Sequence, residues 1–97
     1  MANGLLDFEW DSKKAEANVR KHRISFREAA IVFRDVFSFT YDDAAHSRSE
    51  QRYVTLGMSD QGRVLVVAHT MRGDRIRIIS ARKATKRERK VYEEQNK

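Results

Sequence analysis

Six side chains in this sequence have the chemistry to act together on a phosphodiester: Arg52, His69, Arg75, Arg77, Arg82 and Tyr92. A polyribonucleotide carries its own nucleophile, the 2′-hydroxyl. Cutting the chain without a metal requires that this proton be removed, that charge on the phosphoryl group be stabilised, and that the departing 5′-oxygen be protonated. Positioned acids and bases contribute about 10²–10⁴-fold to such a step, and fixed cations stabilise the developing charge. Histidine suits proton transfer near neutrality, and the planar fork of arginine matches a phosphate. Arg52, His69, Arg77, Arg82 and Tyr92 are therefore the catalytic candidates. Tyr53, Arg72, Arg75, Lys83, Lys86 and Arg89 are the candidates for holding RNA, with the Tyr53 ring available to stack a base.

Other chemistries find no motif. The chain has no cysteine, which excludes a disulfide framework and any cysteine-ligated metal. His22, His46 and His69 are too widely spaced for a recognisable metal site, and Asp42-Asp43 with His46 reads as a soluble loop. Neither a Gly-rich phosphate loop nor a G-x-S-x-G elbow is present. No metal and no cofactor are expected.

The elements that must position these residues fit one domain, residues 1–97. The composition, 40% hydrophobic and 35% charged, with apolar residues in periodic runs, describes a charge-rich folded domain rather than a disordered chain. Met1 to Trp10 lacks the features of a secretory signal, and no apolar run approaches the ~20 residues that span a bilayer. The expected location is the cytoplasm, with no membrane contact. Charge is unevenly placed. Residues 1–71 hold ten Lys/Arg against ten Asp/Glu, whereas residues 72–97 hold ten against four, so the net +6 resides in the last quarter. A neutral body with a basic end is the footprint of a polyanion binder, though a solvated basic helix has the same composition.

Alternation predicts a strand over 6–10, with Leu6, Phe8 and Trp10 on one face. Asp11 or Ser12 then caps a helix to His22, with Ala15, Val19 and His22 at helical spacing. Lys14, Asn18 and Lys21 share a face of it, lining an RNA site or tying the helix to the sheet; tying is the reading preferred. Ser25-x-x-Glu28 fits a capping box for a second helix that buries Phe26, Ala29, Ala30, Val32 and Phe33. Phe37, Phe39 and Tyr41 mark a strand, residues 42–50 a loop, and 51–58, 63–70 and 74–82 three further strands joined by Gly-bearing turns. Thr85-x-x-Glu88 caps a last helix to about Gln95. The order β-α-α-β-β-β-β-α predicts an α+β domain, an antiparallel sheet with helices packed against it.

Four-residue hairpin loops would set Met58 opposite Arg63 and Thr70 opposite Arg75. In that register Val54, Leu56, Leu65, Val67, Ile76 and Ile78 form a core face, with Arg52 opposite His69 at one rim and Arg63 opposite Arg82 at the other. Tyr53, Thr55, Val66, Ala68, Arg75, Arg77 and Ile79 form the second face, with Arg77 beside Ala68 and Tyr53 beyond. That second face either grips RNA or is an ordinary solvated surface.

These motifs resemble one family. Phe8-Glu-Trp-Asp11, Lys14, Asn18, Lys21-His22, Phe26, Ala29-Ala30 and Phe33 are similar to the start of BrnT-type toxins. Val66-Val-Ala-His69-Thr70, Arg72, Arg77-Ile-Ile-Ser-Ala-Arg82, Ala84, Glu88 and Tyr92 are similar to the second half. The resemblance implies a RelE-like fold and a ribonuclease toxin of a type II toxin–antitoxin system, which cleaves RNA to arrest growth. It also implies a cognate BrnA-type antitoxin that binds the toxin and represses their operon, so that operator DNA is reached only through the complex. Two other readings stay open on the residues alone. One is a non-catalytic basic nucleic-acid-binding module or accessory regulator; the other is a chain that only binds a protein partner.

Overall fold

The computed structural model describes residues 7–95. Leu6, the first residue of the expected N-terminal strand, lies outside them. Strand β1 is Asp7–Glu9. Helix α1, Ser12–His22, begins because the Asp11 carboxylate accepts the backbone N–H groups of Lys13 and Lys14 at 2.8 and 3.0 Å. Helix α2, Phe26–Ile31, is capped by the Ser25 hydroxyl and runs into a 3₁₀ turn at Val32–Arg34. Strands β2 (Phe39–Asp42), β3 (Arg52–Met58), β4 (Val64–Arg72) and β5 (Arg75–Lys83) follow, then helix α3, Lys86–Gln95. At α3 the capping box closes in both directions: Glu88 N–H donates to the Thr85 hydroxyl, and Thr85 N–H donates to the Glu88 carboxylate at 2.8 Å.

At α2 the box is only half made. The Glu28 carboxylate turns away from the helix end and is 5% exposed. It accepts from Ser59 Oγ at 2.6 Å, from Arg63 Nε at 3.0 Å and from Arg63 Nη2. A buried carboxylate needs such donors, and both lie in the β3–β4 turn. Arg63 is thus drawn out of β4, and Met58 pairs with Val64 rather than with Arg63. The loop has five residues instead of the four expected.

The sheet runs β1-β5-β4-β3-β2. It is mixed rather than antiparallel, because β1 pairs with β5 in parallel. The β4–β5 turn is tighter than expected, with Arg72 opposite Arg75 and Gly73 at φ +64°, a conformation that favours glycine. A bulge between Ala68 and His69 shifts the pairing beyond it. The expected grouping of Leu65, Val67, Ile76 and Ile78 holds. Strand β3, however, is turned over by the extra loop residue. Val54 and Leu56 leave the expected core face, Tyr53 and Thr55 enter it, and Arg52 pairs with Thr70 rather than His69. Arg82 likewise stands opposite Val66, not Arg63.

Both faces of the sheet are packed. On one, Ala15 of α1, Ile24 between the helices, Phe26 and Ala29 of α2 and Val32 of the 3₁₀ turn cover Leu65, Val67, Ile76, Ile78 and Ala81. The buried side of α1 is Ala15 and Asn18, while Val19 is 42% exposed. On the other face, α3 sets Tyr92 over Leu56, Val64 and Val66, with Phe39, Val54 and Ala84 around them. The cover of α3 reaches only the β3–β4 hairpin end of that face.

Candidate active site

The part of the sheet beyond α3 carries a row of polar residues across four strands. Arg52 on β3 pairs with Thr70 on β4, Thr70 with Arg77 on β5, and Arg77 with Glu9 on β1. Neighbouring strands are about 4.8 Å apart, which puts the Arg52 and Arg77 backbones roughly 10 Å from each other with their side chains on one face. Thr70 between them is buried and donates its hydroxyl to the Gln51 carbonyl at 2.6 Å. Arg77 Nη1 donates to Glu9 Oε2 at 2.7 Å. Arg52 approaches Glu50 at 3.8 Å, and its buried Nε has no hydrogen-bond partner among the described residues. Arg75 and Arg72 extend the row at its outer edge, 3.9 Å from Glu9 and 4.0 Å from Glu50.

One step toward α3 lies a row of Tyr41, Val54, Ala68 and Ser80. Beyond it stand Phe39, Leu56, Val66 and Arg82. Arg82 is held by Glu88 of α3 through two bonds of 2.8 and 2.9 Å. That fork holds the Glu88 carboxyl down at about 2 and raises the Arg82 guanidinium above its usual range. Burial raises the Tyr41 hydroxyl, and the nearby Glu88 charge adds to the effect. The three side chains therefore share one electrostatic neighbourhood. The strip of the face between the two outer rows, the trough, runs along Tyr41, Val54, Ala68 and Ser80. Arg52, Arg77 and Glu9 form one bank; Arg82 and Glu88 form the other.

His69 is not in this trough. The pleat carries it to the α1/α2 face, where it is 4% exposed. Its ring stacks on Tyr53 at 5.7 Å and meets the edge of Phe33 at 4.9 Å. Nε2 bonds Thr55 Oγ1 at 2.8 Å, and Nδ1 has no partner among the described residues. Burial pushes the imidazole down to about 4. The expected Arg52–His69 pair is therefore split between opposite faces, and Tyr53 goes with His69. Tyr92 is buried under α3 and donates its hydroxyl to Asp35.

Comparison with known proteins bears on this arrangement. Residues 10–88 match the family described as the ribonuclease toxin BrnT of type II toxin–antitoxin systems. The chain belongs to the BrnT family. The 1.1 Å crystal structure of the Brucella abortus ribonuclease toxin BrnT superposes with a TM-score of 0.65, at 18% identity, over 84% of this chain and 100% of the other. That likeness shows a shared fold. No curated protein sequence matches the chain.

The BrnT-matched span contains Arg52, Arg77, Arg82 and Glu88 but ends before Tyr92 and begins after Glu9. The remaining expected RNA-binding residues fall elsewhere. Lys83 and Arg89 line a cleft of about 370 Å³ on the hairpin side of α3, with Arg63, Met58 and Val64. Lys86 is exposed in the first turn of α3. Glu9, Tyr41, Thr70 and Glu88 stand in or beside the trough without having been among the expected site residues. Glu9 is brought in by the parallel β1–β5 pairing, which no local motif announces. Tyr41 did carry a signal, the alternation of Phe39 and Tyr41, but its face depended on how β3 lies. Among the described residues no group of three or more His, Asp or Glu could hold a metal, and no helix is long and apolar enough to cross a membrane.

Proposed function

We propose that this chain is an endoribonuclease toxin that binds RNA in the trough and cleaves it by 2′-hydroxyl attack without a metal. The observation that carries the reading is the Arg52–Thr70–Arg77–Glu9 row on the uncovered half of the sheet. Two guanidinium groups on one face flank the position of a phosphodiester and supply charge stabilisation. Among the described residues the Arg52 guanidinium makes no contact with an acceptor closer than the 3.8 Å approach to Glu50, so its outer nitrogens are the ones that would meet a phosphate oxygen. Glu9, bonded to Arg77, is the group in the row able to accept the 2′-hydroxyl proton as the P–O5′ bond breaks, and the departing 5′-oxygen takes its proton from solvent water. Arg82, Arg72 and Arg75 contribute positive potential along the path of the strand. His69 and Tyr92 act in this reading through the scaffold, since one is sealed on the far face and the other is bonded to Asp35. The RelE-like ribonuclease class is the fold assignment that fits a sheet whose active face is only partly roofed by the last helix.

The partner in this reading is a BrnA-type antitoxin, acting in the cytoplasm with the toxin. Lys86, Arg87 and Lys90 stand exposed on α3, a surface that favours an acidic partner segment. A cleavage assay on purified chain with excess EDTA tests the enzyme. Product is expected with the chelator present, and Arg77→Ala and Glu9→Gln are each expected to lower the rate at least about 100-fold while the circular dichroism spectrum is retained. RNA binding with no product from the unmodified chain would return the reading to a non-catalytic nucleic-acid-binding module.

A further inference from the structure

We propose that Tyr41, Val54 and Ala68 form a nucleobase subsite, in which the base next to the phosphate held by Arg52 and Arg77 lies over Val54 and Ala68 and against the Tyr41 ring. The proposal rests on the trough being the RNA site and goes further by assigning where the base sits.

The geometry comes from the register. Tyr41 pairs with Val54, and Val54 with Ala68, so the three residues make a continuous row on the same face as Arg52 and Arg77. The spacing of strands sets Tyr41 about 10 Å from Ala68 across the sheet, and the phosphate-holding row lies about 7 Å along the strands. That is the layout a nucleotide needs, with an apolar floor at one end and cations at the other. Tyr41 is 45% exposed and sits on the outermost strand, so its side chain is open to a ligand from solvent. Phe39 braces it, with ring centroids 6.3 Å apart. Val54 and Ala68 are half-buried and carry no hydrogen-bonding group, so a base covering them loses no bond to water there. On the α3 side the row is closed by Arg82 and Glu88, locked to each other by two hydrogen bonds. Tyr53, the aromatic residue first expected to stack a base, is already stacked on His69 on the other side of the sheet. The turned-over β3 strand thus withdraws one aromatic from the RNA face, where Tyr41, with Phe39 behind it, remains beside the Arg52 and Arg77 row.

Stacking on an aromatic side chain tolerates any base, so the subsite is expected to add affinity without strong sequence preference. The test uses two 2′-O-methyl tetranucleotides that cannot be cleaved, one intact and one wholly abasic, titrated into the full chain. The intact ligand is expected to bind about tenfold more tightly than the abasic one. Tyr41→Ala should reduce intact binding to the abasic level and leave abasic binding unchanged, whereas Tyr41→Trp should keep the difference. On a cleavable tetranucleotide, Tyr41→Ala should raise KM more than it lowers kcat. Equal binding of both ligands, or a Tyr41→Ala chain that still favours the intact one, overturns the subsite. If abasic binding is lost on Arg77→Ala in that case, the RNA site itself survives. Failure of both ligands to bind overturns the site along with the subsite.

Discussion

Asn18 is a poor helix former placed mid-way along α1, and its side chain explains the choice. Its amide donates to the Ile24 and Ala81 carbonyls at 2.9 Å each, and its oxygen accepts the Ala81 N–H at 3.1 Å. One buried residue thus joins α1, the start of α2 and β5. Asn18→Ala would leave those backbone groups without partners, and the expected loss is about 2–4 kcal/mol in urea unfolding; a loss below about 0.5 kcal/mol would contradict the role. His69 makes a pH prediction. Its folded value of about 4 lies below the ordinary 6.5, so the unfolded chain binds the proton first. Stability is full above pH 6.5 and falls as pH drops toward 4, by at most about 1.4 kcal/mol per pH unit. Glu88, held down at about 2, acts in a separate window: its contribution is kept above pH 4.5 and lost as pH falls toward 2. His69→Gln should flatten the stability profile between pH 6.5 and 4 while the lower limb persists. An unchanged slope in that variant would rule His69 out as its source.

At the scale of elements, the strands were readable from alternation, but the facing of β3 was not. A hairpin loop of four or five residues satisfies the same glycine signals, and a single residue inverts every side chain of the strand. The choice was made by Glu28, whose buried carboxylate takes Ser59 and Arg63 for its donors. Seen along the sequence, Ser25-x-x-Glu28 looked like a reciprocal cap, and nothing local distinguished the two uses. Gly57 shows the same dependence on contacts distant in sequence. A Cβ there would come 2.7 Å from Val32 Cγ1 and 2.9 Å from Ser38 Cβ, so β3 lies directly against the 3₁₀ turn and the segment after it. Gly57→Ala is expected to cost about 1–3 kcal/mol through overpacking, seen as a lower Tm; an unchanged Tm would mean the turn yields without strain.

For the whole molecule, the surplus of positive charge meets a sheet face that is roofed at one end only. Arg52, from the neutral part of the chain, joins Arg72, Arg75 and Arg77 from the basic quarter on that uncovered end. RNA binding should therefore weaken steeply with salt, and Arg77→Ala should lower the slope of log K against log[salt] by about 0.7, the value for one single-strand phosphate contact. A slope unaffected by the substitution would place Arg77 away from the strand. Lys83 and Arg89 lie in the separate cleft beside the hairpin, so Lys83→Ala should change this slope less than Arg77→Ala does.

The amino-acid sequence by itself determined the kinds and order of elements, the α3 capping box, most of the aliphatic core and the family. Each of these rests on local spacing or on motif identity. Only the tertiary structure decided which side chains share the trough. It brought Arg52 to Arg77, added Glu9 through a parallel pairing between strands far apart in the chain, exchanged Tyr53 for Tyr41, and sent His69 into the core. The physical reason is that a pleated strand has two faces, and the face shown was selected by a buried carboxylate on another element seeking its donors.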